Sequence, residues 1–133
     1  MKGLILIVEK ATNRAFAKAL ENMLEAEGCE TKTVFSPENV YMLHLVHNYD
    51  SIFMDIELWS IRYPSFIREL KRINPDTRII LTREEQYSGH ILKDAVDRGY
   101  EHIPKPFVER EVMAMLEGIT ERADSTQPSE AAA

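Results

Sequence analysis

Five times along this chain a short apolar run gives way to a stretch whose apolar residues fall three or four apart. That alternation constrains the fold more than any other feature of the sequence. An apolar run of this length suits a strand covered on both faces, and the stripe that follows suits an amphipathic helix. Each helix carries the chain back across a sheet face, so successive strands run parallel. Right-handed crossovers leave few topologies, and a doubly wound α/β sheet with helices on both faces is the leading one.

The first strand is residues 3–8 (GLILIV), followed by a helix over 14–27. Phe16, Leu20 and Leu24 recur every fourth residue there, Ala19 and Met23 widen the stripe, and Gly28 supplies the stop. Residues 30–34 (ETKTV) are the second strand, and Ser36-Pro37-Glu38 opens a helix reaching about Asn48. The third strand is Ser51 to Met54, ending on Asp55. A helix over 65–73 uses Phe66, Leu70 and Ile73 and stops at Asn74-Pro75. The fourth strand is Arg78 to Leu81, followed by a helix over 88–98 with Ile91 and Ala95 inward. Glu101 to Ile103 forms the fifth strand, and a last helix over 108–121 places Val108, Val112, Met115, Leu116 and Ile119 on one face. Residues 1–122 make one domain. Residues 123–133, small, polar and proline-containing, read as a flexible tail or linker.

Composition narrows the function. At 133 residues the chain is long enough for a real core, and a net charge of −6 without a basic block argues against direct nucleic-acid binding. No apolar run is long enough to span a bilayer and no secretory leader pattern is present. A single cysteine, Cys29, makes no internal disulfide and fits a cytoplasmic setting, where it is expected to be a small buried filler. No Gly-rich phosphate loop or nucleophile elbow follows any strand, which discounts a small flavodoxin-like or hydrolytic enzyme.

In a doubly wound sheet, ligands gather beyond the carboxyl ends of the strands. Those ends carry Glu9 and Lys10, Asp55, Thr82 and Lys105. A carboxylate at a buried strand tip, flanked by other acids, suits a hard cation such as Mg²⁺, and a lysine and a hydroxyl suit phosphoryl oxygens. The same residues also fit an aspartate that caps the next segment beside a lysine that neutralises it.

Three segments, "IFMDIEL" around Asp55, "RIILT" ending at Thr82 and "KPF" at 105–107, resemble in order and spacing the receiver domain of bacterial two-component response regulators. The resemblance covers residues 3 to about 121 and implies five parallel strands in the order 2-1-3-4-5. It implies Asp55 as phosphoacceptor, Thr82 as the phosphate-contacting hydroxyl that also switches, and Lys105 as the phosphate-contacting lysine, after a cis Lys105–Pro106 bond. It also implies Mg²⁺ as cofactor, a histidine kinase or phosphotransfer protein as donor, and a protein partner or output domain; with no room for an output domain here, the expectation is either a stand-alone regulator or a piece of a longer protein cut at the linker-like tail.

Several positions depart from that pattern. The family carries two adjacent acids after the first strand, and here the pair is Glu9-Lys10. An ammonium cannot ligate a metal, so Lys10 is expected to compete with Mg²⁺ for Asp55. Glu57 either turns in as a substitute ligand, giving Glu9, Asp55 and Glu57 as the metal set, or points to solvent. Trp59 stands where a proline is usual, and Arg83 where a small residue leaves room for phosphate. Arg83 is expected to clamp phosphate or extend into water. His102 takes the place of the switch aromatic, where it either flips and adds pH sensitivity or sits as a half-exposed strand-edge residue. His44 and His47, three apart, lack a third metal ligand, and Arg62, Arg68, Lys71 and Arg72 read as a solvated basic face.

Two functions follow. One is a working receiver that accepts a phosphoryl group at Asp55 and switches a partner-binding helical face. The other is a pseudo-receiver that binds protein independently of phosphorylation, with Lys10 in place of the metal.

Overall fold

The computed structural model describes residues 3–36, 40, 47–59, 65–84, 86, 89–105, 110–111 and 114. The expected helices at 36–48 and 108–121, the Lys105–Pro106 bond, His44, Arg62 and the tail lie wholly or mostly outside the described residues.

Five strands form the sheet: β1 (Leu4–Val8), β2 (Glu30–Val34), β3 (Ser51–Asp55), β4 (Arg78–Glu84) and β5 (Glu101–Lys105). All pairs are parallel and the order is β2-β1-β3-β4-β5, as the alternation and the resemblance predict. The described helices are α1 (Arg14–Ala26), α2 (Ser65–Ile73) and α3 (His90–Asp97).

Strand alternation divides the core into two layers. Ile5, Ile7, Phe53, Ile80 and Ile103 point to one face, where Ala17, Leu20 and Leu24 of α1 cover them. Cys29 is buried in that layer as the expected filler. Leu6, Val8, Ile52, Met54, Ile79 and Leu81 point the other way, against Ile67 and Leu70 of α2 and Ile91 and Ala95 of α3. β3 is buried at every position because it has a paired strand on each side and a packed layer on each face. That double coverage is why "SIFM" reads as a continuous apolar run.

Two helices end by the same device. After α1, Gly28 adopts φ +92°, its N–H donates to the Glu25 carbonyl at 3.0 Å, and the Cys29 N–H donates to the Leu24 carbonyl at 3.1 Å. After α3, Gly99 adopts φ +78°, with Gly99 and Tyr100 donating to Val96 and Ala95. These are Schellman closures, which need a left-handed residue and so select glycine.

The sequence places two strand ends too early. β4 runs three residues beyond Leu81, and β5 runs two beyond Ile103. The polar letters Thr82, Arg83 and Glu84 suggest a loop, yet their backbones pair with Ile103, Pro104 and Lys105. Tertiary pairing overrides the local signal. As a result Thr82 and Lys105 sit inside the sheet rather than on loops beyond it.

Candidate functional site

Four chemistry-bearing residues share one side of the sheet. Glu9 follows β1 in the same parity as Ile5 and Ile7, Asp55 follows Phe53, Thr82 follows Ile80, and Lys105 follows Ile103. Those apolar neighbours all belong to the layer under α1. Asp55 and Thr82 are also register partners across β3 and β4. The period of two therefore brings the strand-tip residues together at the carboxyl end of the α1 layer.

Lys105 is the hub. Its ammonium contacts Asp55 Oδ2 and lies 2.9 Å from Glu9 Oε2 and 3.0 Å from Glu9 Oε1. All three residues are buried, Asp55 completely. The Lys105 ammonium also lies 5.0 Å from the centre of the Phe16 ring, whose face favours a cation. Asp55 Oδ1 accepts the Glu57 backbone N–H at 2.7 Å. Glu9 Oε1 accepts the Lys10 backbone N–H at 2.8 Å and the Asn13 amide at 3.3 Å. Thr82 is equally enclosed, and its hydroxyl has no hydrogen-bond partner among the described residues.

Burial, followed by the adjacent Asp55 carboxyl, raises the Glu9 pKa above the ordinary carboxylate value, while the Lys10 N–H and Lys105 pull it down. A raised folded pKa means the folded state holds the proton more tightly than the unfolded chain. Glu9's contribution to stability is therefore full below its unfolded value and is lost as pH rises through the folded one. Glu9→Gln, which keeps the shape and one acceptor oxygen, is expected to gain stability relative to wild type between about pH 5 and about pH 8. Urea midpoints at the two pH values measure this, and a difference that is flat or falls with pH contradicts the assignment.

Lys10 does not do what the sequence suggests. The cation paired with Asp55 is Lys105, while the Lys10 ammonium lies 3.3 Å from Glu57 Oε2. Burial works to lower the Lys10 pKa, but the charges of Asp55, Glu57 and Glu84 more than offset it and hold the ammonium above the ordinary lysine value. Glu57 lies at the solvent-exposed edge, where it partners Lys10.

Arg83 and His102 lie on the other side of the sheet from Asp55, in the parity of Leu81. The Arg83 Nε–H donates to His102 Nδ1 at 3.4 Å and its NH1 group donates to the Glu84 carbonyl at 3.4 Å. Arg83 therefore neither clamps a phosphate position nor simply extends into water. Trp59 closes the short 3-10 turn Ile56–Trp59 that follows Asp55. His47 is exposed, with its ring 5.8 Å from that of Tyr49. On α2, Arg72 pairs with Glu69, Lys71 donates to the Thr77 carbonyl at 2.6 Å, and Arg68 is exposed.

Three contributors escape sequence reasoning: Asn13, Phe16 and Glu84. Phe16 reads as one more member of the helix stripe, and Glu84 as part of a polar loop. Asn13 is held by a 3-10 turn over Ala11–Asn13, whose first residue follows Lys10 directly. A Glu and an Asn four apart after a buried strand is the one available signal for it.

The donor set does not fit Mg²⁺. The two buried carboxylates, Glu9 and Asp55, are both engaged by Lys105, and the position of the second acid is a lysine. A hard divalent cation needs oxygen ligands whose charge is not already neutralised. Among the described residues no group of three or more His, Cys, Asp or Glu side chains could hold a metal ion.

A family model described as response regulator receiver domain matches residues 5–117. Solved structures with the same fold include NtrX from Brucella abortus in complex with ADP, at 21% identity and a TM-score of 0.77, with 98% of this chain covered. This chain spans 29% of the length of that one. A two-component response regulator from Clostridium difficile shares 18% identity at a TM-score of 0.73, covering 90% of this chain and 97% of that one. The signal receiver domain of a LuxO repressor protein from Vibrio parahaemolyticus shares 14% identity at a TM-score of 0.76, with 98% of each chain covered. No curated protein matches the chain.

Proposed function

The chain belongs to the response regulator receiver domain family, and on that premise we propose that it is a pseudo-receiver, a protein-binding module that works without phosphorylation. The observation that carries this reading is Lys105 seated between Glu9 and Asp55, all three buried, with Lys10 held by Glu57 above them. The carboxylates that would hold Mg²⁺ are spent on the protein's own ammonium groups. Positioning and charge neutralisation supply most of the catalysis of phosphoryl transfer, so a site without its cation loses the main source of rate. The bound partner is a protein that docks on a helical face of the domain. No helix among the described residues is long and apolar enough to cross a membrane.

One observation favours the second reading, phosphoryl acceptance at Asp55 from a histidine kinase or phosphotransfer protein. The Thr82 hydroxyl, on Asp55's side of the sheet, is buried without a partner among the described residues, as a group awaiting a phosphoryl oxygen would be. Acceptance requires Lys105 to leave Asp55 Oδ2 for the incoming group. His102 and Thr82 would then be the residues that reposition. The experiment that separates the two readings is phosphoryl transfer itself, in the presence of Mg²⁺ and a small phosphodonor, read as intact mass. The pseudo-receiver reading expects no increment on Asp55.

A further inference from the structure

We propose that the free edge of the sheet at β2 is an interface between two copies of this chain, which pair their β2 strands antiparallel about a two-fold axis at Thr31. β2 ends the strand order, and among the described residues no strand lies beyond it. Its inner side is occupied: the Glu30 N–H donates to the Gly3 carbonyl at 3.0 Å, and the Val34 carbonyl accepts the Glu9 N–H at 3.1 Å. Backbone groups alternate in direction along a strand. Glu30, Lys32 and Val34 therefore face β1, while Thr31 and Thr33 turn their N–H and C=O groups outward. An outward row of this kind is a template for another strand. The Thr31 and Thr33 hydroxyls donate to Glu25 and Glu21 of α1, and a groove of about 490 Å³ lies between that helix and β2, so the helix does not close over the edge.

Charge selects the occupant. Glu30 and Lys32 are exposed, and neither has an ion-pair partner among the described residues. Their register partners are Leu4 and Leu6, so both side chains lie on the α2 side of the sheet. A two-fold axis at Thr31 lets the two copies of Thr31 exchange both backbone hydrogen bonds. It sets Glu30 directly opposite Lys32 of the second copy and repeats that pair across the axis, so opposite charges meet twice. The neighbouring registers lack this match. An axis at Lys32 sets the two lysines against each other, and an axis at Thr33 sets Lys32 opposite Val34. A lysine on an edge strand normally guards it against pairing. Here the glutamate two residues earlier makes the same lysine self-complementary. The interface uses none of the strand-tip residues and holds whether or not Asp55 accepts a phosphoryl group.

Sedimentation velocity of the full chain over a wide range of concentration tests this. Wild type is expected to show a reversible monomer–dimer equilibrium. Glu30→Lys alone and Lys32→Glu alone each set like charges opposite at both pairs, and each is expected to weaken the dimer about tenfold or more. Mixing the two variants restores both opposite pairs across a heterodimer, since one chain then carries two lysines and the other two glutamates. That mixture and the exchanged double variant, Glu30→Lys with Lys32→Glu, are expected to recover a dimer close to wild type. Thr31→Pro, which removes an outward N–H and leaves the β1 ladder intact, is expected to weaken it. A wild type that stays monomeric throughout overturns the inference. So does a dimer whose dissociation constant moves less than about twofold in both single variants, because the contact then lies elsewhere. Failure of the mixture to recover the dimer, with both chains folded by circular dichroism, overturns it as well. If a single variant does not fold, the other two decide: loss of the dimer in the exchanged variant, or its persistence in Thr31→Pro, overturns the inference.

Discussion

Replacing Lys105 with methionine is expected to destabilise the protein by about 3–5 kcal/mol at neutral pH. Methionine fills much of the same volume, so the loss is electrostatic rather than a matter of packing. It leaves Glu9 and Asp55 facing each other, buried and without a cation. Glu9, whose pKa burial and the adjacent Asp55 already raise, can relieve this by taking up a proton. The destabilisation is therefore expected to shrink as pH falls toward the ordinary carboxylate range. Urea unfolding of wild type and Lys105→Met at neutral and mildly acidic pH measures both effects. A loss below about 1 kcal/mol, the range of a surface ion pair, would show that the ammonium is not the cluster's counter-charge.

Phe53→Ala is expected to cost about 3–5 kcal/mol, the usual price of emptying an aromatic from a core. Phe53 is 1% exposed on the central strand, two residues before Asp55, and packs with Ile5, Ile7, Ile80 and Ile103 beneath α1. The layer it fills is the one whose upper edge carries Glu9, Asp55, Thr82 and Lys105. A loss of that size, measured by urea unfolding, would show that the layer is packed as described. A change under about 1 kcal/mol would mean that the neighbouring side chains collapse into the gap, and that the core under the site is loose.

Elements whose physical signal is local are legible in the sequence, and those held by distant pairing are not. β1 and β3 are legible because each has a packed layer on both faces, which leaves a continuous apolar run in the letters. α1 is legible because one face meets the sheet and the other meets water, and Gly28 marks its end with a conformation few other residues adopt. The carboxyl halves of β4 and β5 are not legible, because Thr82, Arg83 and Glu84 are held in strand form by pairing with β5 rather than by their own propensity. Asp55, Thr82 and Lys105 could be nominated from strand ends and from the resemblance. Which cation meets which carboxylate could not. Lys10 and Lys105 are both candidate partners for Asp55 in one dimension, and only the folded contacts separate them. Strand parity sends Arg83 to His102 and away from Asp55.

The site differs from the metal-binding pattern it resembles in the residue that follows Glu9. Glu9 keeps an acid at the edge of the α1 layer, where Lys105 meets it. Lys10, one residue later, is a cation and pairs with Glu57. The two lysines neutralise the cluster from below and from above. The Lys105 pairs are buried, and buried ion pairs are costly to break while contributing little net stability.

The most direct test of the central claim is intact mass of the wild-type chain after incubation with Mg²⁺ and a small phosphodonor, beside Asp55→Ala as control and with the fold checked by circular dichroism. A pseudo-receiver closed by its own lysines shows the same mass before and after, in wild type and control alike. A phosphoryl increment on the wild type that disappears in Asp55→Ala would contradict it, and would make Asp55 a working phosphoacceptor.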